Sequence, residues 1–160
     1  MTTHTARGKY LDELVVGDVY EHRPGRTVTA AENALFSSIT MNTQSLHHDA
    51  AFASRTEFGR VLVNSLWTIS TLVGLSVSDL TEGTTIANLG FGEITFPAPV
   101  FAGDTIYAET EILSVRPSRS RPGQGVVEVE HRGRNQDGVL VCRARRAALV
   151  LTKEAGEARS

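Results

Sequence analysis

Ten residues near the start of the chain bring together side chains that can move protons and hold water. Residues 40–49 read Thr-Met-Asn-Thr-Gln-Ser-Leu-His-His-Asp, which combines two adjacent imidazoles, two amides, several hydroxyls and a carboxylate. Apolar segments typical of a protein core lie on both sides of this cluster. Because buried polar groups must be hydrogen-bonded or put to use, the cluster indicates a functional site.

His47 and Asn42 are the candidate catalytic residues of this cluster. An imidazole exchanges protons near neutral pH, so His47 can act as a general base. The amide of Asn42 exchanges no proton, but its oxygen and its NH₂ group can hold and orient a water molecule. A carboxylate would be the more usual residue for proton transfer at this position. The alternative for His47 is a purely structural histidine, which the residues alone favour.

The adjacent residues His48 and Asp49 are predicted to take no part in the chemistry. Side chains of consecutive residues at a helix start diverge, and a tetrahedral metal site would need further ligands. We therefore predict no metal ion and assign His48 to the surface.

Length, charge and cysteine content limit the class of protein. At 160 residues the chain is long enough for one domain with its own core. A net charge of −2 gives no reason to expect nucleic acid or an anionic membrane as a partner. The single cysteine, Cys142, excludes an internal disulfide, and residues 1–8 contain no apolar signal segment. These features favour a cytoplasmic protein.

Helical signals are concentrated in the first half of the chain. A capping box formed by Thr29 and Glu32 begins a helix that is predicted to end near Thr40. Two further helices are predicted over residues 48–53, with Asp49 as the N-cap, and over residues 65–80. Residues 61–78 are uncharged but carry too many Ser, Thr, Asn and Gly residues for a membrane span, so the long helix should be buried in protein.

The second half of the chain reads as β-structure. Strands are predicted over residues 19–27, 85–96, 104–115, 125–134 and 139–152, with a hairpin turn at 135–138, a loop at 10–17 and a frayed tail at 153–160. Because most strands follow one another without intervening helices, the class is α+β, with an antiparallel sheet wrapped around the long apolar helix. The start of that helix, at Asn64 and Ser65, offers free backbone N–H groups to an anion or a developing oxyanion.

Two motifs in this order give the chain a specific resemblance. Residues 40–47, Thr-Met-Asn-Thr-Gln-Ser-Leu-His, resemble the Ser/Thr-Gly-Asp-x-Asn-Pro-Leu-His loop of the MaoC-like dehydratases, the (R)-specific enoyl-CoA hydratases of the hot-dog fold. Residues 99–105, Pro-Val-Phe-Ala-Gly-Asp-Thr, match the family's Pro-Val-x-x-Gly-Asp-Thr, and the Phe-Pro-Ala-Pro of residues 96–99 also suits the family. The likeness extends over residues 11–151. Thr40, Leu46 and His47 match the loop, whereas Asn42 stands where the family has its catalytic Asp.

The resemblance implies a catalytic role for His47 and reverses the preference for a structural histidine. Hydration of an α,β-unsaturated thioester needs a base for water, a proton for Cα and donors for the enolate oxygen. In this family the loop supplies the proton-handling groups, so His47 would carry the acid–base work while Asn42 places the water. The N–H of Ser65 would hold the thioester oxygen, and Asn64 would cap the helix.

The resemblance also implies where the substrate binds. Gln44 and Phe91 are predicted to contact the acyl group, Phe91 between the two glycines of residues 90–92. Arg55 or Arg60 would receive a second carboxylate on the acyl chain, the alternative being surface charge. Three arginines of one loop are predicted to bind the phosphates of coenzyme A: Arg116, Arg119 and Arg121. The alternative is that these arginines are simply solvated.

The implied activity is that of a hydro-lyase on an acyl-CoA thioester, and no cofactor is expected beyond the coenzyme A of the substrate. The Asn-containing loop resembles a subgroup that acts on branched or dicarboxylic C4–C5 acyl-CoAs such as mesaconyl- or itaconyl-CoA. Two alternatives stay open: a non-catalytic hot-dog subunit that binds acyl-CoA or pairs with an active homologue, and an acyl-CoA thioesterase. The family implies a homodimer, or a dimer of dimers, with a sheet continuous across two subunits.

Overall fold

A single antiparallel sheet forms the framework of the computed structural model, which describes residues 6–158. Its strands are β1 (Val19–Thr27), β2 (Thr85–Thr95), β3 (Thr105–Pro117), β4 (Gln124–Arg134) and β5 (Leu140–Leu151). They lie in the order β1-β3-β4-β5-β2, so that β1 and β2 are the two edges. These bounds agree with the predicted strands to within a few residues, and the turn between β4 and β5 closes through the N–H of Gly138 and the carbonyl of Asn135, 3.0 Å apart.

Four α-helices accompany this sheet. They are α1 (Ala30–Ile39), α2 (Ala50–Ala53), α3 (Ser65–Leu75) and α4 (Lys153–Glu157). The long helix α3 packs against β1, β3, β4 and β5, which confirms the predicted α+β hot-dog architecture. The predicted capping box begins α1, since Thr29 accepts from the Glu32 N–H and Glu32 accepts from the Thr29 N–H. Asp49 caps α2 through a single bond, in which its side chain accepts from the Phe52 N–H.

The long helix is shorter and less enclosed than predicted. It ends at Leu75, because the Ser76 hydroxyl bonds back to the Val73 carbonyl at 2.7 Å, and a π-helical turn, Val77–Thr81, follows. Leu66, expected in the core, is 55% exposed. A single chain leaves the face that carries Leu66, Ser70 and Gly74 uncovered.

Three further predictions need correction. The loop over residues 10–17 contains a 3₁₀ helix, Leu11–Glu13. The frayed tail is instead the helix α4, capped by Thr152 and packed through Gly156 against the ring of Tyr10; residues 159–160 lie outside the described part. Ala31, Leu35 and Ile39 recur at helical spacing in α1, a pattern that predicts a core-facing side, but Leu35 and Ile39 are exposed and Asn33 and Ser37 are buried in their place.

Two apolar clusters make up the core. The larger lies between α3 and the sheet and contains Trp67, Leu72, Ile106 and Cys142 among others. The smaller lies beyond it toward the 3₁₀ helix and includes Ile112, Val127 and Val150. Burial raises the pKa of the Cys142 thiol to about 12, so Cys142 is a packed, protonated side chain. Among residues 6–158, no helix has the length and apolar character to cross a membrane.

A glycine permits the close approach of α3 to the sheet. A Cβ added to Gly133 on β4 would lie 2.6 Å from a methyl group of Leu72, which is fully buried on α3. Gly133→Ala is therefore expected to destabilise the protein by about 1–3 kcal/mol through overpacking, measured by urea unfolding. Gly92→Ala is the matched control, because its Cβ meets only an ordinary contact at 3.7 Å. Equal stabilities of the two variants would contradict this account of the helix position.

Candidate active site

A short extended segment, residues 61–63, connects the histidine loop to the long helix. The N–H of Leu62 donates to the Leu46 carbonyl at 2.9 Å, and the N–H of Val63 donates to the Val100 carbonyl at 2.9 Å. Leu62 also pairs with Phe101 in an isolated antiparallel bridge. The segment is thus held from both sides, and it sets the distance between the loop and the start of α3.

The ring of His47 is oriented by this segment. His47 lies in a 3₁₀ helix, Ser45–His47, and its Nδ1 is 3.0 Å from the carbonyl oxygen of Leu62. A carbonyl oxygen only accepts, so Nδ1 carries the proton and donates it to Leu62. The Nε2 atom is consequently the basic nitrogen of the neutral ring, the arrangement that a general base requires.

Asn33 joins three parts of the site and was missed by the sequence reasoning. It is buried on α1, and its Nδ2 donates to the Leu62 carbonyl at 3.0 Å and to the His47 carbonyl at 3.4 Å. Its Oδ1 accepts from the N–H of Asn64 at 2.9 Å. The sequence offered one indication of it, since Asn33 lies on the side of α1 opposite the apolar residues Leu35 and Ile39. Only the fold shows that this side is the buried one.

The start of α3 presents a free backbone donor. Asn64 caps the helix, as predicted, by accepting from the Leu66 N–H at 3.0 Å, and its own amide group donates to Ser37 at 3.3 Å. Within residues 6–158 the N–H of Ser65 makes no hydrogen bond, and the Ser65 side chain is exposed. Of the two N–H groups predicted to be free at this helix start, that of Asn64 is occupied, because it donates to Asn33. The N–H of Ser65 is available to an oxyanion, and its role in binding one stays a prediction.

His47 and Ser65 line the same cavity, of about 370 Å³. Apart from these two residues and Thr68 the lining is almost entirely apolar, and it comprises Phe58, Leu62, Val63, Phe96, Pro97, Ala98, Pro99, Val100 and Val141. An apolar cavity with a few convergent polar groups suits an acyl group bearing one polar function. The Phe-Pro-Ala-Pro motif of residues 96–99 forms one wall.

Asn42 is located outside this cavity in the single chain. It lines a separate surface hollow with Met41, Thr43 and His48, and its Oδ1 accepts from the Gln44 N–H at 3.0 Å. His48 is exposed and contacts the Asn42 carbonyl through Nε2 at 2.6 Å. One chain alone does not bring Asn42 and Gln44 together with His47 around one substrate, and their assigned roles stay predictions.

The other predicted substrate contacts are also dispersed. Phe91 lies on the edge strand β2 and lines a different hollow, next to Arg145 and Arg146. Arg60 stacks its guanidinium 3.7 Å from the centre of the Phe101 ring, whereas Arg55 is exposed just after α2. Neither arginine lines the His47 cavity.

The three arginines assigned to coenzyme A phosphates lie at the opposite end of the sheet. Arg116, Arg119 and Arg121 are exposed at or after the end of β3. The base of that loop pairs with Leu151, whereas the His47 cavity borders Val141 at the other end of β5. At about 3.4 Å per residue these two ends are roughly 30 Å apart. In a single chain these arginines therefore do not reach a ligand at His47.

No metal chemistry is needed to describe the cavity. In the part of the chain that the structure describes, no three His, Cys, Asp or Glu side chains converge in a metal-binding arrangement. A neutral imidazole with a free Nε2 and a helix N–H on one apolar cavity can together deprotonate water and stabilise an oxyanion.

The role of Asn33 in positioning the loop gives a direct prediction. Asn33→Ala removes two donors and one acceptor from buried backbone groups, and it is expected to lower the free energy of unfolding by about 1–3 kcal/mol. Urea unfolding measures this difference. Asn42→Ala is the matched control, because the Asn42 amide makes one exposed bond within its own turn, so its loss should be clearly smaller. A larger loss for Asn42→Ala would contradict the role given to Asn33.

Comparisons with known proteins identify relatives of this chain. The chain is 31% identical to mesaconyl-CoA hydratase of Cereibacter sphaeroides over 137 residues, which is 86% of this chain but 39% of the relative. It is 37% identical to (R)-specific enoyl-CoA hydratase of Aeromonas caviae over 87 residues, 54% of this chain and 63% of that protein. The chain thus spans about two fifths of the length of the mesaconyl-CoA hydratase.

A solved structure agrees in fold. The Mycobacterium tuberculosis protein Rv0216, described as a double hotdog fold, superposes with a TM-score of 0.81 at 25% identity, covering 91% of this chain and 45% of that one. Residues 13–135 match the family described as MaoC like domain. The chain therefore belongs to the MaoC-like dehydratase family.

Proposed function

We propose that this protein is a hydratase or dehydratase that adds water to, or removes it from, an α,β-unsaturated acyl-CoA thioester. The observation that carries the proposal is the orientation of His47. Its Nδ1–H donates to the Leu62 carbonyl, which leaves Nε2 as the basic nitrogen, and the ring lines the same apolar cavity as Ser65 with its free N–H. The names of the relatives, a mesaconyl-CoA hydratase and an (R)-specific enoyl-CoA hydratase, support this reaction class.

The site residues can perform the reaction with one base. His47 Nε2 takes a proton from water while the water oxygen bonds to Cβ and the C=C π bond opens toward Cα. The thioester oxygen gains negative charge, which the Ser65 N–H and the N-terminus of α3 stabilise. The imidazolium of His47 then delivers its proton to Cα and returns to the neutral state. Dehydration is the same sequence reversed.

The substrate is proposed to be a branched or dicarboxylic C4–C5 acyl-CoA, as the mesaconyl-CoA hydratase relative suggests. The cavity of about 370 Å³ is large enough for an acyl group of this size. A second carboxylate would need a cation near the cavity mouth. Arg60 is the nearer candidate in sequence, because it immediately precedes the segment 61–63 that holds His47, whereas Arg55 is five residues farther back.

Dimerisation would complete such a site. The edge strand β2 has β5 as its one neighbour in the sheet, and it exposes Leu89, Phe91 and Ile94. An unpaired strand of this length and character favours pairing with another strand. In an antiparallel pair of β2 strands, the Thr95 end of one copy lies beside the Thr85 end of the other. The arginine loop of the second copy would then be at the same end of the joint sheet as the His47 cavity of the first.

A non-catalytic partner subunit is the second candidate function. It is favoured by Asn42, which stands at the acid–base position of the family loop and lines a hollow separate from His47. Activity that appears only when a homologous subunit is added would identify this role. Release of free CoA thiol with the double bond intact would instead identify a thioesterase.

A cytoplasmic location is proposed on the thiol chemistry. Cys142 is free and fully buried, which suits a reducing compartment.

The hydratase proposal is tested with a short panel of thioesters followed by enoyl-thioester absorbance. His47→Ala is expected to lower kcat/KM by roughly 10²–10⁴-fold, because it removes the single base. His48→Ala is the matched control, since His48 is exposed and outside the cavity, and it should keep most of the activity. Asn42→Asp, assayed beside them, tests whether a carboxylate at that position raises the rate. Wild-type protein that hydrates neither mesaconyl-, itaconyl- nor crotonyl-CoA above the His47→Ala background would refute the proposal.

The dimer is tested separately by sedimentation. Leu89→Lys places a charge on the exposed edge strand and is expected to convert the dimer to a monomer at micromolar concentration. Val15→Lys is the control, because Val15 is equally apolar and exposed but lies far from β2 in the fold. A dimer that survives Leu89→Lys would place the interface elsewhere on the molecule.

A further inference from the structure

A buried hydroxyl on α3 has no hydrogen-bond partner in the protein. Thr68 lies about one helical turn after Ser65 and is only 1% exposed. Within residues 6–158 its Oγ1 bonds neither to a side chain nor to the backbone. A buried hydroxyl that lacks a partner costs folding free energy. The Thr68 oxygen is therefore available to a group from outside the chain.

The helix itself leaves this hydroxyl free. A threonine in a helix commonly donates its hydroxyl to the carbonyl one turn back. Thr40, at the end of α1, does so, with its Oγ1 at 2.8 Å from the Phe36 carbonyl. The corresponding carbonyl for Thr68 is that of Asn64. It accepts instead from the backbone N–H groups of Trp67 and Thr68, at 3.0 and 3.3 Å.

The Thr68 hydroxyl is accessible from the proposed active-site cavity. Thr68 lines that cavity together with His47 and Ser65. Within residues 6–158, the polar side-chain atoms that are both fully enclosed and unpaired belong to three other residues, which are Thr85, Gln124 and His131. Thr68 Oγ1 is unpaired but is not one of these enclosed atoms. Its remaining contact with solvent is therefore through the cavity that the residue lines.

The burial of the three polar residues gives the cavity a direction. The Ser65 side chain is exposed, His47 is half-buried and Thr68 is buried. The valines of the lining are buried as well, and they are Val63, Val100 and Val141. A thioester whose coenzyme stays outside the protein would place its carbonyl at the open end, beside Ser65. Its Cα and Cβ would then extend toward Thr68.

Helix geometry places Thr68 at a suitable distance from Ser65. The rise of about 1.5 Å per residue puts Thr68 roughly 4.5 Å farther along α3, and residues three apart share a helix face. In a thioester hydrated at Cβ, four covalent bonds separate the carbonyl oxygen from the oxygen on Cβ, a span of roughly 3–5 Å. A thioester held at the Ser65 N–H can therefore present its Cβ oxygen to the Thr68 hydroxyl.

We propose that the Thr68 hydroxyl holds the reacting oxygen, as the water that adds to Cβ and afterwards as the β-hydroxyl of the hydrated thioester. This inference rests on the proposed hydration reaction. The water gives one proton to His47 Nε2, its oxygen bonds to Cβ, and the π electrons move toward Cα. Thr68 exchanges no proton and keeps one hydrogen bond to the oxygen. A hydroxyl suits both states of that oxygen because it can donate and accept.

A second contact is what the water needs beside His47. A water bound only to the imidazole can turn about that one bond, whereas two bonds direct a lone pair at Cβ. Asn42, predicted to place the water, lines a separate hollow in the single chain. The Ser65 hydroxyl belongs to the exposed end of the cavity. Thr68 is thus the buried polar side chain of this cavity that is free for the role.

Kinetics of matched variants test the proposal on the most active thioester of the panel. Thr68→Val replaces the hydroxyl by a methyl group of similar shape, so we expect kcat to fall roughly 10–100-fold with KM little changed. Thr68→Ser keeps the hydroxyl and should recover most of the rate. Thr71→Val makes the same change on α3 outside the cavity and should retain the wild-type rate.

Stability separates this role from a structural one. Because the Thr68 hydroxyl has no partner in the protein, Thr68→Val should resist urea at least as well as the wild type. A wild-type kcat in Thr68→Val would overturn the proposal. An equal loss of kcat in Thr68→Ser would also overturn it, because the missing methyl group would then be the cause.

A binding experiment decides the question without turnover. In the His47→Ala background, calorimetry compares butyryl-CoA with each enantiomer of 3-hydroxybutyryl-CoA. We expect one enantiomer to bind roughly 3–10-fold more tightly than butyryl-CoA, and Thr68→Val to abolish that difference. Equal binding of the three esters, or a difference that persists without the hydroxyl, would overturn the proposal.

The two experiments distinguish this inference from the proposed function. Wild-type protein that hydrates no thioester would refute the hydratase, while the binding difference would still show whether Thr68 contacts an oxygen on Cβ. Thermal melts check that each variant is folded. If Thr68→Val does not fold, Thr68→Ala takes its place in the binding comparison.

Discussion

The carbonyl oxygen of Leu62 is the acceptor on which the geometry of the proposed active site depends. It receives one hydrogen bond from His47 Nδ1 and a second from Asn33 Nδ2, both at 3.0 Å. The first bond sets the tautomer and direction of the imidazole, and the second ties the same peptide to α1. Asn33 then reaches the Asn64 N–H, so that the histidine loop and the start of α3 are held by one network. A buried carbonyl must be hydrogen-bonded for the core to fold. The bonds that satisfy Leu62 therefore also position the proposed base, His47, and the proposed oxyanion donor, Ser65.

The helix α3 is fixed at its other end by a second polar contact. Beyond Leu75 the chain passes through the π-helical turn, where Asp79 pairs with the fully buried His22. Between the two ends, Leu72 packs against Gly133 and sets the distance to the sheet. Polar contacts thus specify the position of the helix along its axis, and apolar packing specifies its height above the sheet. Apolar contacts alone tolerate sliding, whereas paired hydrogen bonds at both ends do not.

Local signals accounted for most of the fold. The capping box at Thr29, the N-caps Asp49 and Asn64 and the alternation of the strands depend on neighbouring residues, so they could be predicted from sequence. The end of α3 could not, because Val77 and Leu80 continue the apolar spacing of Val73 beyond Leu75, whereas the chain there forms a π-helical turn. Asn33 and the buried histidines His22 and His131 were missed for another reason. Each is polar where the periodicity alone predicts an apolar face, and only contacts between residues distant in sequence explain why that is tolerated.

A single base at the proposed site constrains the stereochemistry of the reaction. Asn42 exchanges no proton, and it lies outside the cavity of one chain, so in the proposed mechanism the proton removed from water and the proton given to Cα would both pass through His47 Nε2. The ring cannot turn between the two steps without breaking its bond to Leu62. Both atoms are therefore added from the side of the substrate that faces His47, and hydration on one base is a syn addition. In this mechanism the Nδ1–Leu62 bond that leaves Nε2 as the basic nitrogen would also keep both proton transfers on one side of the double bond.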